Sequence, residues 1–295
     1  MLALQLTFVT DALTLHEQGL LSVSEQAVDS LLCLVCQDDS RPVVTPFLPD
    51  LVGRLSQYIL VAKNPEFFEI ILEVFTSYKR KLLENPGCIG DLIQGMVQRV
   101  LVELENLRKT EKEESEKQII SKIWSVFIAI GEDKIFIPKY QAQVEEIMEP
   151  LFVLFANEKK VIFEDFMIIY ATEVTKLSKQ VSNHCWTTLK ALPEIFARSK
   201  GIVASMFPLL NQFLIHGNQM ISQDAESVQI LVEIGVQGLN PTHPLTTETD
   251  SCQAALLLQL IIQYLGNISQ QSWERIIVSC LDKLKSCEKG YLKTK

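Results

Sequence analysis

The sequence is poor in the residues that form turns, with only 12 glycines and 11 prolines among 295 residues. A sandwich or barrel of many short strands needs a turn about every 8 to 12 residues, so these folds are excluded. The apolar content of 47% is too high for a disordered chain. At this length the chain can bury a large core, as two ordinary domains or as one extended repeat array. The composition therefore favours helices.

The sequence also lacks a long apolar run, a signal peptide and an even set of cysteines. Its most apolar stretch, Ala254 to Leu265, contains two glutamines and falls well short of the roughly 20 residues that span a bilayer. The first residues lack the basic region of a signal peptide. Seven scattered cysteines argue against a disulfide framework and for a reducing compartment. We expect a protein of the cytoplasm and nucleus, without membrane insertion, whose thiols are small core side chains.

The sequence also has fewer basic than acidic residues, with 27 Lys and Arg against 36 Asp and Glu. The formal net charge is −9. This charge repels the phosphate backbone of nucleic acids, so direct nucleic-acid binding is not expected. A basic protein partner fits the charge better.

Apolar residues recur at helical spacing along nearly the whole chain. Breakers and capping residues divide this pattern into about 13 predicted helices. Their approximate ranges are 2–18, 23–37, 46–62, 65–83, 88–108, 116–131, 139–157, 160–179, 182–198, 201–215, 222–239, 250–266 and 270–286. Consecutive helices taken as pairs repeat every 40 to 50 residues or so, which is the period of HEAT repeats.

This period predicts how the helices pack. One amphipathic helix pair cannot bury its apolar face alone, whereas stacked pairs share a continuous core. We therefore predict an all-α fold, a HEAT-repeat α-solenoid formed by a single array over residues 1–295. A compact helical bundle is the alternative, but no segment is apolar on all sides, as a central helix would be. Eight aromatic residues are predicted to lie in the core: Phe67, Phe68, Phe75, Tyr78, Trp186, Phe196, Phe207 and Phe213.

No group of reactive residues in the sequence forms a recognised catalytic motif. The pair Cys33 and Cys36 has no second pair and no histidine at zinc-site spacing, so it is predicted to be core. His184 and Cys185 are neighbours on a helix and point about 100° apart, which prevents them from acting as base and nucleophile. Phosphate-binding loops and nucleophile elbows are absent from the sequence. We predict a non-enzyme without catalytic, cofactor or metal sites; a compact helical enzyme is the least favoured class.

One segment, Glu103 to Lys117, carries a dense run of charges of both signs. Such a run usually forms a solvated connection between helices. The alternative is a surface that contacts a basic cargo protein through its carboxylates. The candidate cargo-contact residues are Glu103, Glu105, Glu111, Glu113, Glu114 and Glu116.

The second half of the chain resembles a known family. The resemblance rests on the stretch EEIMEPLFVLFANEKKVIFEDFMIIYATEVTKLSKQVSNHCWTTLKALPEIFARSKGIVASMFPLLNQFLIHGNQMI, followed by CQAALLLQLIIQYLG and WERIIVSCLDKL. These segments resemble the importin-β superfamily of nuclear transport receptors, or karyopherins, and most of all the middle-to-late HEAT repeats of the branch that contains importins seven and eight. The resemblance covers about residues 138–295, and residues 1–137 are similar only as repeats.

The resemblance implies a segment of a nuclear transport receptor that shuttles between cytoplasm and nucleus. Such a segment binds protein cargo, and possibly the Phe-Gly repeats of nucleoporins, in import driven by the small GTPase Ran. Family members bind Ran mainly through amino-terminal repeats, so Ran is expected to bind a missing amino-terminal region of a longer receptor. The long acidic tract of the importin seven and eight branch is absent. The alternative function is a HEAT-repeat scaffold or regulatory subunit of a cytosolic complex, such as that of a kinase or phosphatase.

Overall fold

The computed structural model describes residues 2–13, 21–84, 86–109, 113–158, 162–198, 203–240, 247–266 and 268–293. Within these ranges helices are the only regular secondary structure, which confirms the predicted all-α class. The α-helices are α1 Leu2–Leu13, α2 Leu21–Cys36, α3 Arg41–Val44, α4 Leu48–Tyr58, α5 Phe67–Leu82, α6 Pro86–Lys109, α7 Glu113–Gly131, α8 Ile137–Asn157, α9 Glu164–Ser178, α10 Asn183–Arg198, α11 Val203–Gln223, α12 Ala225–Leu239, α13 Glu248–Leu265 and α14 Gln270–Lys293. In the described part of the chain, no helix is both long and apolar enough to cross a membrane.

Every predicted helix overlaps one of the observed helices, and α3 is a single extra turn between two 3-10 turns. The largest boundary error concerns α11, which was predicted to end at residue 215 but continues to Gln223. Gly217 lies just beyond the predicted end and inside the observed helix. In the structure Gly217 provides space for a neighbour, since a Cβ atom there would lie 2.9 Å from Val181 Cγ2.

Two helix starts show why the chain folds locally as it does. Asp224 precedes α12, and its side chain accepts a hydrogen bond from the backbone N–H of Glu226 at 3.2 Å. Thr247 precedes α13 and forms a capping box with Asp250, in which each side chain accepts from the other residue's backbone N–H. These side chains satisfy backbone donors that have no partner inside the helix.

The chain forms two compact units, residues 1–151 and residues 152–295, and the division falls inside α8. In the first unit, α4 contacts both α1 and α6, while α5 contacts both α2 and α7. One row of helices consists of α1, α4 and α6, and the other of α2, α5 and α7. Contacts of α1 with α2, α4 with α5, and α6 with α7 join the two rows, so that they form two layers. Each helix therefore packs against the helix of the same row in the next pair.

The second unit repeats this arrangement with its own helices. Here α11 contacts α9 and α13, while α12 contacts α10 and α14. Contacts of α10 with α11 and of α12 with α13 join the two rows. Within both units, most helices that follow one another in the chain contact each other.

The interior of each unit is apolar and rich in aromatic rings. Seven of the eight predicted core aromatics are buried, and Trp186 is half-buried with its ring centre 6.4 Å from that of Phe213. Tyr58 packs edge-on against Phe67 with ring centres 5.0 Å apart. Phe207 is fully buried, so its truncation to alanine would cost roughly 3 to 5 kcal/mol.

Ion pairs join helices of the same row at the edges of the core. Lys190 of α10 lies 3.2 Å from Glu226 of α12, and Arg275 of α14 pairs with Glu233 of α12. Burial by itself raises the pKa of Glu233, but hydrogen bonds from Arg275 and Gln237 and the Arg275 charge outweigh it, so the pKa is lowered. Pairs at such exposed positions contribute about 0 to 1 kcal/mol each. Apolar burial therefore holds the rows together, and the ion pairs fix their alignment.

Helices α12 and α13 approach each other closely because α12 carries two glycines on the facing side. A Cβ atom at Gly235 would lie 2.5 Å from Leu258 Cδ2, and one at Gly238 would lie 2.7 Å from Ala254 Cβ. The Gly238 position is also 3.0 Å from Phe207 Cζ. A side chain at either glycine would force the two helices apart.

We predict that Gly238→Ala destabilises the second unit by about 1 to 3 kcal/mol, because the added methyl group has no space against Ala254. Gly53→Ala is the control, since Gly53 is exposed within α4 and has no atom within 4 Å of its Cβ position. There alanine should stabilise by roughly 0.5 to 1 kcal/mol through its higher helix propensity. Urea unfolding of both variants measures the difference. Equal effects of the same sign would contradict the close approach of α12 and α13.

Candidate functional site

The six predicted cargo-contact glutamates fall near the junction of α6 and α7, but they do not share one environment. Glu103 is buried in α6 with 4% of its surface exposed. Its carboxylate lies 2.6 Å from Nε of Arg99, one helical turn earlier, and that guanidinium is buried too. The charge of Glu103 is thus engaged inside the first unit and does not face solvent.

The remaining glutamates are divided between the end of α6 and the start of α7. Glu105 is exposed and pairs with Lys109, whose hydrogen bond and charge lower the pKa of the Glu105 carboxyl. Glu114 is exposed on the first turn of α7, and Glu116 is half-buried and accepts a hydrogen bond from Ser115 at 2.7 Å. Glu111 lies outside the described residues, as does the side chain of Glu113. The structure therefore offers Glu105, Glu114 and Glu116 to solvent from two adjoining helix ends.

The buried arginine beside Glu103 is a structural centre that the sequence reading missed. Arg99 donates from Nη2 to the carbonyl oxygen of Ala62 at 2.7 Å and from Nη1 to those of Ile59 and Leu60. These carbonyls follow the end of α4, where helix geometry leaves them without partners. The signal was an Arg and a Glu four residues apart on the apolar face of α6, which also carries Met96 and Val100. Such a pair on a buried stripe indicates an internal ion pair.

A surface cleft of about 430 Å³ lies over this ion pair. Three apolar side chains at its edge are substantially exposed, namely Leu60, Val61 and Val102. Lys63 and Asn106 complete its polar side. Val102 at the edge of the cleft lies three residues before Glu105 on α6.

A second cleft, of about 280 Å³, lies between α6 and the first part of α8 and is almost entirely apolar. Gly90 lines the cleft without a side chain. A Cβ atom added there would lie 3.7 Å from Ile147 Cδ1. This volume accommodates one large apolar side chain of a partner. The lining residues are Pro86, Gly87, Gly90, Ile93, Phe136, Tyr140, Gln143, Val144 and Ile147.

The second unit has a polar cleft of about 500 Å³ between the start of α12 and the loop before α14. Serine and glutamine side chains line most of it, with Arg275 at one side. Arg275 pairs with Glu233 of α12, so its charge is already balanced within the unit. The cleft therefore offers hydrogen-bonding groups and little net charge.

The reactive side chains are arranged differently from the prediction. Cys33 and Cys36 are exposed at the end of α2, so the prediction that they are core was wrong. Leu31 and Val35 of the same helix are buried, so Cys33 and Cys36 lie on the side of α2 that faces solvent. Burial raises the pKa of Cys36, with further increases from Glu73, Cys33 and Glu69, so its thiol is kept protonated. Of the seven thiols, Cys185 is buried, two are half-buried and four are exposed, so the general prediction of core cysteines was wrong too.

Two of the four histidines, His184 and His216, lie in the described part of the chain. His184 is half-buried and its ring centre lies 5.6 Å from that of Phe152. Burial, followed by the charge of Lys179, lowers the pKa of His216. His16 and His243 lie outside the described residues. Among those that are described, no three His, Cys, Asp or Glu side chains come together in a way that could hold a metal ion.

No protein-family model matches the chain, and neither the curated proteins nor the solved structures include a match.

We predict that Glu103→Ala destabilises the first unit by about 3 to 5 kcal/mol, because it leaves the Arg99 charge buried without its carboxylate partner. Glu105→Ala is the matched control on the same helix, where loss of an exposed pair should cost about 0.5 kcal/mol or less. Urea unfolding followed by circular dichroism measures both. Similar small effects for the two variants would show that Glu103 is solvated.

Proposed function

We propose that this chain is a HEAT-repeat α-solenoid segment of a nuclear transport receptor. The observation that carries the proposal is the stacking inside each unit, where every row of helices continues from one helix pair to the next. Such stacking gives long side surfaces for protein partners, rather than one enclosed pocket. Together with the resemblance of residues 138–295 to karyopherins, it supports a protein-binding function without bond chemistry. The receptor would shuttle between cytoplasm and nucleus, and Ran would act through amino-terminal repeats of a longer protein.

In this proposal the cargo is a basic protein that meets the junction of α6 and α7. Glu105, Glu114 and Glu116 present carboxylates there, and Val102, at the exposed apolar edge of the neighbouring cleft, lies three residues before Glu105 on α6. Carboxylates attract lysine and arginine over about 8 to 10 Å at physiological salt. Apolar contacts next to them would hold the cargo once it has arrived. The net charge of −9 favours the same class of partner.

The apolar cleft between α6 and α8 would take a phenylalanine of a nucleoporin Phe-Gly repeat. Its volume fits one aromatic ring, and its lining offers few polar groups that would need partners. Contacts of this size are weak one at a time, so many repeats would bind and release quickly. Rapid exchange of this kind suits passage through a pore.

We predict that replacing Glu105, Glu111, Glu113, Glu114 and Glu116 with glutamine weakens binding of a histone or ribosomal protein at low salt by roughly tenfold or more. Glu103 stays unchanged, because its loss would destabilise the unit. The measurement is isothermal titration calorimetry at two salt concentrations.

The control variant removes the same total charge from other exposed positions. It carries glutamine at Glu132, Glu146, Glu149, Glu194 and Glu248. If both variants lose affinity equally, the partner responds to overall charge and the junction of α6 and α7 is only a connection.

We predict that Gly90→Leu abolishes binding of a Phe-Gly repeat peptide, because the leucine side chain fills the cleft beside Ile147. Gly53→Leu adds the same side chain to an exposed helical glycine and should leave binding unchanged. Fluorescence anisotropy of a labelled repeat peptide measures both. A wild-type chain that binds neither the peptide nor a basic protein would favour the scaffold function instead.

A further inference from the structure

The apolar cleft between α6 and α8 has an aromatic wall that is braced by the core of the first unit. Phe136 packs edge-on against Phe75 of α5 with ring centres 5.8 Å apart, and the ring centre of Tyr140 lies 5.0 Å from that of Phe136. Phe136 is buried, with 3% of its surface exposed. A wall that is already ordered loses little conformational entropy when a partner binds.

This wall favours an aromatic side chain as the occupant of the cleft. Phe136 and Tyr140 both line the cleft, and Tyr140 is the last of the three rings in contact. A partner's ring beside Tyr140 would extend this series by one member. Aromatic pairs are more favourable than their buried area alone accounts for, so an aromatic ring gains more here than an aliphatic side chain.

The edge of the cleft on α8 carries opposite charges at its two ends. Lys139 is exposed, and its Nζ atom lies 5.2 Å from the ring centre of Tyr140. Glu146 is exposed and directly precedes Ile147, which lines the cleft. Seven residues separate the two charges, which is about 10 Å along the helix and only about 20° around it. Gln143 lies between them and lines the cleft.

Both charges are available to a partner. Among the residues that the structure describes, Lys139 has no carboxylate partner and Glu146 has no basic partner. Lys79 and Asp133, by contrast, neutralise each other at 2.8 Å. The side-chain amide of Gln143 likewise has no hydrogen bond to a described residue. An amide of this kind both donates and accepts, as the main chain of a bound peptide requires.

The distance between the two charges sets the spacing of the groups that would pair with them. An extended peptide rises about 3.3 Å per residue, so about 10 Å corresponds to three residues. A peptide with its aromatic ring in the cleft can therefore direct a carboxylate towards Lys139 and a basic group towards Glu146. Two flanking groups of the same charge would meet one attraction and one repulsion.

We propose that this cleft selects a peptide in which an aromatic residue stands between an acidic and a basic residue three positions apart. Lys139 and Glu146 pair with the two flanking charges, and Gln143 forms a hydrogen bond with the peptide main chain. The inference rests on the proposed use of the cleft for a partner's phenylalanine, and it adds the charge pattern around that residue. Both pairs are exposed, so they contribute selectivity more than affinity.

Fluorescence anisotropy of the whole chain with short labelled peptides tests this selectivity. The peptides contain Glu-Phe-Gly-Lys, the opposite charge order Lys-Phe-Gly-Glu, or the uncharged Gln-Phe-Gly-Gln. For the wild type, the charge order that matches the direction of the bound peptide should bind roughly fivefold tighter than the uncharged peptide at low salt. This advantage should disappear at about 1 M salt, where charges are screened within about 3 Å.

The three peptides also separate this inference from the proposed function. Equal binding of all three overturns the charge selectivity and leaves the cleft as a site for phenylalanine alone. Binding of none of them overturns the proposed use of the cleft and the selectivity together.

A charge exchange tests the two residues directly. The double variant Lys139→Glu and Glu146→Lys should invert the preference between the two charge orders. The control Glu149→Lys with Lys179→Glu makes the same exchange at exposed positions that do not line the cleft, and it should keep the wild-type preference. Circular dichroism checks that each variant is folded. A preference that survives the exchange at Lys139 and Glu146 overturns their assignment.

Discussion

The structure depends on one constraint, which is that an amphipathic helix with apolar residues on two sides must be covered by two neighbours of its own row. Helix α12 illustrates it, since it contacts α10 on one side and α14 on the other while its glycine face lies on α13. The buried residues Leu231, Val232 and Ile234 serve these contacts. Ion pairs such as Lys190 with Glu226 cross the same junctions but are exposed, so they contribute alignment more than stability.

This constraint also explains where surfaces for partners arise. Residues that cover a neighbour within a row are buried, so binding groups remain at the helix ends and in the clefts between successive helices. The apolar cleft between α6 and α8 exists because glycine at position 90 leaves space that a larger side chain would fill. The acidic residues Glu105, Glu114 and Glu116 lie at the end of α6 and the start of α7. Among the described residues of α14, Ile277, Val278, Leu281 and Leu284 are exposed apolar side chains.

Buried polar groups have a different function in the same architecture. Arg99 and Glu103 lie on the apolar face of α6, where an isolated charge would be costly, and they neutralise each other. Asp133 acts similarly, since it accepts the backbone N–H groups of Ile135 and Phe136 and pairs with Lys79 at 2.8 Å. Burial alone raises the pKa of Asp133, but these hydrogen bonds and the Lys79 charge lower it overall. Both centres tie a loop to a neighbouring helix.

The sequence by itself determined the helical class and the approximate position of most helices, because apolar spacing and capping residues act over only a few turns. Phe207 and the other core aromatics followed from the same spacing, with Trp186 less buried than expected. Only the tertiary structure decided which charges and thiols face solvent. Glu103 was grouped with exposed glutamates and is buried, whereas Cys33 and Cys36 were assigned to the core and are exposed. The exposure of a residue at the edge of an apolar stripe depends on the rotation of its helix, and that rotation is set by neighbours distant in the chain.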